Sequence, residues 1–247
     1  MSSDLEFAAS LADIADALAL GRFGAADLRV ETKPDLSPVT EADKAIEQTL
    51  RERIAAERPD DSVLGEEGGA SGVGSRRWIL DPIDGTRNYS RGIPIFATQI
   101  ALEVDGEVEL GLVSAPALGR RWWAERGKGA FRDGQQIRVS QVSAMENAVV
   151  SSELSEGIEG LRSLAERAWH VRSFGDFWQH MLVAEGCVDV AVDPVVKIWD
   201  CAPLKIIVEE AGGKFTDLAG RAIIDGGSGV STNGLLHTEV LVALGLH

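Results

Sequence analysis

Apolar residues recur in steps of three and four over residues 4–22, at Leu5, Ala8, Leu11, Ile14, Ala15 and Leu18. That period predicts an α-helix with one buried face. Ile46, Leu50 and Ile54 repeat it and predict a second helix from Thr40 to about Arg58. Thr40 and Asp43 stand in the T-x-x-D relation of a helix cap, just after Pro38, and Pro59-Asp60-Asp61 ends the segment.

The pattern then shortens to runs of strand length. Ser62–Gly65 and Trp78–Leu80 are largely apolar, and the glycine-rich stretch 68–75 between them reads as a flexible loop. Phe96–Val104 and Val108–Ser114 flank Asp105-Gly106, a hairpin dipeptide. Arg121–Glu125, Gly129–Phe131 and Ile137–Val139 continue, with a second such dipeptide at Asp133-Gly134. Consecutive hairpins predict an antiparallel meander over about residues 78–140. Beyond it, strand patterns at Val149–Ser151, Trp169–Arg172, Val188–Val192, Lys214–Thr216 and near Val230 alternate with helical ones. The helices fall at Ile158–Ala168, Asp176–Glu185, Trp199–Ala211 and from about Leu235. Such alternation predicts a layered α/β half. The reading is one compact unit in two parts, residues 1–142 and 143–247, with no linker composition at the border.

Charge narrows the partners. The 247 residues carry 39 acidic and 24 basic side chains, a formal charge of −15. A chain of that sign repels nucleic-acid phosphates and anionic membranes. No apolar run approaches the roughly 18 residues of a spanning helix. Met1-Ser2-Ser3-Asp4-Leu5-Glu6 lacks the basic start of a signal peptide, so a soluble, cytoplasmic protein is expected. Cys187 and Cys201 are too few for a disulfide framework and read as small core hydrophobes. An anionic substrate on so acidic a chain calls for a local positive charge, and a bound cation is the simplest source.

Three carboxylate clusters are candidates to hold one. Asp81-Pro82-Ile83-Asp84-Gly85-Thr86 follows an apolar strand, and Pro82 is expected to stop that strand. A turn there would aim Asp81 and Asp84 at one point, beside the backbone N–H groups of Gly85 and Thr86, which suit an anion. Gly65-Glu66-Glu67-Gly68-Gly69 also follows a strand. Trp199-Asp200-Cys201-Ala202-Pro203 opens an apolar helix. Taken singly, each has an ordinary structural reading: an Asp-rich turn, a solvated acidic loop and a helix cap.

Taken together, G-E-E at 65–67, D-P-I-D-G-T at 81–86, W-D-x-A at 199–202 and the following Glu210-Ala211-Gly212-Gly213 resemble the inositol monophosphatase-like family, from about residue 8 to the end. Lys33 and Pro38–Asp43 resemble that family's mobile N-terminal loop and the helix after it. The resemblance implies a layered α-β-α-β-α fold: a mostly antiparallel α+β first part and a smaller, mixed α/β second part. It implies a magnesium-dependent phosphomonoesterase, a homodimer, acting on a small phosphate ester. Carried over by position, it implies that Glu66, Asp81 and the Ile83 carbonyl hold one Mg²⁺. Asp81, Asp84 and Asp200 would hold a second, and Glu67 would support a third through water. Asp43 and Thr86, with Glu66, would be the catalytic residues, orienting and deprotonating the attacking water. The N–H groups of Gly85 and Thr86 would grip the phosphate. The chemistry agrees: divalent cations neutralise a phosphate dianion and stabilise a leaving alkoxide. A phosphoaspartate route wants D-x-D, whereas the spacing here is D-x-x-D. No G-x-x-x-x-G-K-[ST] is present, which excludes a P-loop.

Substrate choice rests on the second part. Ser173–Trp178 and Leu182–Asp189 lie where the family builds its substrate wall. The alignment places Asp176 where inositol phosphatases carry a small residue, and Asp193 where they carry a carboxylate that binds sugar hydroxyls. The Gly175-Asp176-Phe177 stretch with W-D-x-A-P resembles the histidinol-phosphate phosphatase branch, which serves histidine biosynthesis. Asp176 is also placed to cap the helix that follows. Trp178 is a candidate to line a pocket for an imidazole. Of Trp122 and Trp123, adjacent in the meander, one must face outward. His170, His180, His237 and His247 show no ligand spacing and read as surface or internally satisfied residues. The resulting expectation is hydrolysis of histidinol phosphate. The alternative is inositol phosphate or another small sugar phosphate. A catalytically silent binding protein is disfavoured, because every expected metal carboxylate is present.

Overall fold

The computed structural model describes residues 2–152 and 159–245. Met1, Ile158 and His247, which enter the sequence reading, lie outside the described residues.

Helix α1 (Ser3–Arg22) is capped by the Ser2 side chain, which accepts from the Leu5 N–H. Its buried stripe is Leu5, Phe7, Ala8, Leu11, Ala12, Ala15 and Ala19, whereas Leu18 is exposed. A short hairpin, β1 (Val30–Thr32) and β2 (Pro38–Thr40), leads into α2 (Glu41–Glu57). Thr40 and Asp43 form the expected capping box at its start.

Eight strands form the large sheet. They are β3 (Ser62–Gly65), β4 (Gly69–Ser71), β5 (Arg76–Asp84), β6 (Ala97–Val104), β7 (Glu107–Ala115), β8 (Arg120–Glu125), β9 (Ala130–Arg132) and β10 (Gln135–Ile137). Their order is β10-β9-β8-β7-β6-β5-β3-β4, antiparallel except for the β3–β5 pair. Both hairpin dipeptides turn as expected: Asp105 and Asp133 take φ of 51° and 50°, followed by Gly106 and Gly134 at 87° and 83°. Three details differ from expectation. The stretch read as a loop contains β4, which pairs with β3 as an edge strand. The last strand lies two residues earlier than its apolar pattern suggested. Pro82 does not end β5: the strand runs on to Asp84, with its register broken between Asp81 and Asp84. The Pro82 carbonyl still finds a partner there, the Thr98 hydroxyl at 2.8 Å. After that irregularity Gly85 and the short helix α3 (Thr86–Ser90) follow directly.

The second sheet comprises β11 (Val149–Ser152), β12 (His170–Arg172), β13 (Val190–Asp193), β14 (Lys214–Thr216) and β15 (Gly229–Thr232), ordered β12-β11-β13-β15-β14 and mixed in direction. Four helices accompany it: α4 (Glu159–Arg167), α5 (Asp176–Ala184), α6 (Ile198–Glu210) and α7 (His237–Ala243).

Three apolar clusters stack these elements into layers. The first joins α1 and α2 to one face of the large sheet, through Leu11, Ile46 and Leu50 against Trp78, Leu80 and Ile100. The second fills the middle, where Phe177 and Met181 of α5 and Ile207 and Val208 of α6 meet Ile79, Ala101, Val113 and Trp122. The third closes the far side, with Leu161, Leu164 and Val240 on Val150, Val190 and Val230. The order is α-β-α-β-α, the layered α/β fold expected. The central strands β5, β6 and β7 are largely buried on both faces because both are covered. Among the described residues, no helix is long and apolar enough to cross a membrane.

Several single residues correct or refine the reading. Cys201 is buried, but Cys187 is exposed in the turn after α5, so only one cysteine serves the core. Trp122 is buried and donates to Glu185, while Trp123 is half-buried and stacks on Phe131. His180 and His237 are both buried and satisfied. Burial lowers the His237 pKa to about 4, so it is neutral at physiological pH.

Candidate active site

The site forms where the irregular end of β5 meets the N-termini of α5 and α6. Asp81 and Asp84 come from β5, and Asp200 comes from the first turn of α6. One carboxylate oxygen from each lies within 4.8 Å of the others. Asp200 Oδ2 accepts the Lys197 N–H at 2.7 Å, so the capping reading holds as well. Asp84 Oδ2 accepts the Phe177 N–H at 2.7 Å, which ties the end of β5 to α5. Asp81 Oδ1 is buried and has no hydrogen-bond partner. A buried carboxylate oxygen without a donor is costly unless a cation completes it. Burial, then mutual repulsion with neighbouring carboxylates, raises the pKa of Asp81 and of Asp84 well above the usual range. Asp200 is pushed up to about 7, chiefly by burial. Hard oxygen donors packed this closely fit a divalent cation such as Mg²⁺.

Beside this cluster lies a second unit. Asp43 is fully buried at the start of α2. Its Oδ2 accepts from both the backbone and the hydroxyl of Thr40, and its Oδ1 accepts the Thr86 hydroxyl at 3.1 Å. The same hydroxyl lies 2.9 Å from the Ile83 carbonyl. Gly85, just before Thr86, has φ of 80°. A Cβ there would sit 3.0 Å from the Ile95 carbonyl, so this sharp exit from β5 is reserved for glycine.

Glu66 and Glu67 are held differently. Lys33, from the turn between β1 and β2, donates to Glu66 at 2.7 Å and to Glu67 at 2.6 Å. Burial alone would lower the Lys33 pKa, but these two hydrogen bonds outweigh it and hold the pKa above its usual value. Neither glutamate joins the three-aspartate group, although Glu66 is near enough to raise the pKa of Asp81. Their loop is fixed from beneath by Glu47, which is buried in α2. It accepts the N–H groups of Glu67 and Gly68, each at 2.7 Å, and is braced by Arg51. A Cβ at Gly65 would fall 2.5 Å from the Glu47 carboxyl carbon. Gly65→Ala is therefore expected to cost about 1–3 kcal/mol, as overpacking does. For a chain of this size the unfolding midpoint should fall by about 2–4 °C per kcal/mol. A thermal melt indistinguishable from wild type would show that the Glu47 clamp yields freely.

Asp84 and Asp200 also line a small cavity of about 150 Å³ with Asp176, Asp193, Arg87, Phe177, Val195, Val196 and Leu204. Asp176 does not cap α5. Gly175 occupies the capping position, and Asp176 is the first helical residue, with φ of 48°. Left-handed backbone is unusual for a residue with a Cβ. Its carboxylate accepts from Asn88 at 3.1 Å. Asp193 ends β13 and is bound by Gln179 and His180 of α5. Trp178 is not among the lining residues: it packs edge-on to Trp122 and Phe177, under Arg120. Glu47, Asn88 and Gln179 escaped the sequence reading, and His180 entered it only as a surface or internally satisfied histidine. On the sequence they are ordinary polar residues of helices, and only their distant partners distinguish them.

The profile of the inositol monophosphatase family matches residues 1–245. The chain belongs to that family. It is 53% identical to the histidinol-phosphatase of Mycobacterium tuberculosis, with 98% of this chain and 97% of that protein covered. It is 48% identical to the histidinol-phosphatase of Streptomyces coelicolor, over 96% and 95% of the two chains. Among solved structures, an IMPase of Thermotoga maritima superposes with a TM-score of 0.91 at 34% identity, covering 99% of this chain and 97% of that one.

Proposed function

We propose that the chain is a Mg²⁺-dependent phosphatase that hydrolyses histidinol phosphate to histidinol and inorganic phosphate. The observation that carries this reading is the meeting of two groups of carboxylates. Asp81, Asp84 and Asp200 converge with a partnerless buried oxygen among them. Asp84 and Asp200 of this group line a cavity that two further carboxylates, Asp176 and Asp193, also line. The first group suits a cation and its phosphate; the second suits an ammonium carried by the rest of the substrate.

In this reading Asp81, Asp84 and Asp200, with the Ile83 carbonyl and Glu66, hold two Mg²⁺, and Glu67 supports a third. Bound Mg²⁺ supplies charge neutralisation of the phosphate and acidifies water. Asp43 and Thr86 do the chain's own share of the chemistry. Thr86 presents its hydroxyl to the reacting water, and Asp43, hydrogen-bonded to that hydroxyl, takes up the proton. The N–H groups of Gly85 and Thr86 face the phosphate oxygens. Asp43 is already fixed by Thr40, so little reorganisation is needed at the moment of reaction. Residues 1–142 contribute most of the cation ligands, and residues 143–247 contribute Asp200 and the substrate wall.

Histidinol phosphate carries an amine beside its phosphate-bearing carbon, and inositol phosphate does not. A charge-assisted hydrogen bond from such an ammonium is worth roughly 1.5–3 kcal/mol, or about ten- to a hundredfold in selectivity. Asp176→Asn and Asp193→Asn are each expected to reduce kcat/KM for histidinol phosphate by about that factor. The loss for glycerol 2-phosphate should be much smaller. The experiment measures kcat/KM for histidinol phosphate, inositol 1-phosphate and glycerol 2-phosphate on wild type and both variants. A wild type that prefers inositol phosphate, or variants that lose all three activities equally, would replace this reading with a general sugar phosphatase.

A further inference from the structure

Asp193 is held in an unusual way for an acidic residue in an acidic cavity. One carboxylate oxygen accepts from the Gln179 amide, and the other lies 2.7 Å from His180 Nε2. Behind them the chain of contacts continues. His180 Nδ1 is 2.6 Å from the Ser231 hydroxyl, and the Gln179 carbonyl oxygen accepts from Ser151 at 2.7 Å. Ser151 in turn accepts the Phe174 N–H at 3.3 Å. Gln179, Ser151 and Ser231 are completely buried, and His180 is 1% exposed. A carboxylate only accepts, so Nε2 carries its proton toward Asp193, while the Ser231 hydroxyl partners Nδ1.

We propose that Gln179 and His180 are positioning residues that set the enzyme's preference for a phosphomonoester bearing an ammonium group, a role that rests on the substrate reading given above. The argument is one of charge. Where the chain pairs Glu66 and Glu67 with a cationic side chain, it uses Lys33. At Asp193 it uses an amide and an imidazole rather than lysine or arginine. They fix both oxygens without setting a lysine or arginine against them. The carboxylate therefore lines the cavity as an acceptor held in a fixed orientation. Lysine or arginine in place of either donor would hold Asp193 equally well but spend its charge before the substrate arrived. Neither Gln179 nor His180 lines the cavity, so their effect passes through Asp193 alone.

The test compares wild type with Gln179→Met, His180→Leu and His180→Gln. It measures kcat and KM for histidinol phosphate and glycerol 2-phosphate, together with the unfolding midpoint of each variant. Gln179→Met and His180→Leu should each raise KM for histidinol phosphate about tenfold, the scale of one hydrogen bond to a charged group. Their constants for glycerol 2-phosphate should stay within about twofold. His180→Gln, whose amide can still donate toward Asp193, should recover most of the loss. In an Asp193→Asn background, Gln179→Met should add nothing further, because the group it positions has lost its charge. Parallel loss on both substrates, or a full additional loss in the Asp193→Asn background, overturns the positioning role. If His180→Leu fails to fold, Gln179→Met and the double variant decide alone. A wild type with no preference for histidinol phosphate would instead overturn the substrate reading, so the two failures are distinct.

Discussion

Replacing Asp84 by Asn is expected to lower phosphatase turnover by about two to three orders of magnitude, the scale of losing a transition-state charge contact. Asparagine keeps the shape of the side chain and removes one of the three charges that converge with Asp81 and Asp200. It also retains a carbonyl oxygen for the Phe177 N–H, so the junction between β5 and α5 should survive. The loss should therefore appear in kcat, with the unfolding midpoint little changed. Phosphate release from histidinol phosphate and from a simple aryl phosphate, followed across a Mg²⁺ titration, checks this. Near-normal turnover at saturating Mg²⁺ would remove Asp84 from the reaction.

Thr86→Ala is expected to be the next most damaging change, with kcat lower by about a hundredfold, within the range of general acid–base contributions. The methyl-bearing backbone of α3 should remain in place, but the hydroxyl that links Asp43 to the end of β5 is gone. The Mg²⁺ dependence should be unchanged, since Thr86 contributes no carboxylate to the cluster. Thr86→Ser should retain most activity. Mass spectrometry after rapid quench should detect no phosphorylated peptide in wild type or variant. A phosphate trapped on Thr86 or Asp84 would overturn direct attack by water.

These variants concern residues that sequence motifs bring to notice, and the contrast with those they do not is physical. Asp105-Gly106 and Asp133-Gly134 announce their hairpins because positive φ at both turn positions suits very few residue pairs. Thr40 and Asp43 announce a helix start because a cap is a local hydrogen-bond problem with a local solution. The β1–β2 hairpin gives no such signal: every residue of β1 is exposed, so no apolar alternation marks it. β4 is hidden among glycines because an edge strand can pair through its backbone alone. The passage of β5 through Pro82 is equally hard to foresee. Proline usually interrupts a ladder, and only the bulge between Asp81 and Asp84 accommodates it. In the site, Asp81, Asp84 and Asp200 are legible through their motifs. Glu47 is not, because what it holds, the N–H groups of Glu67 and Gly68, lies twenty residues away. Gln179 and His180 are hidden for the same reason. Local pattern reveals what a segment does for itself, whereas a clamp is defined by its guest.

The position of α6 has a consequence for the order of synthesis. Its apolar residues Cys201, Ala202, Leu204 and Ile207 cover the inner face of the large sheet, yet all the strands of that sheet precede residue 138. On a ribosome the sheet's strands emerge well before the helix that shields them. Ile79, Ala101 and Val113 then form an open apolar surface on the nascent chain. Exposed surface of this kind invites aggregation or capture by chaperones until its cover arrives. A ribosome stalled before residue 198 should thus carry a strong chaperone footprint over the meander, and one stalled after α6 has cleared the exit tunnel should not.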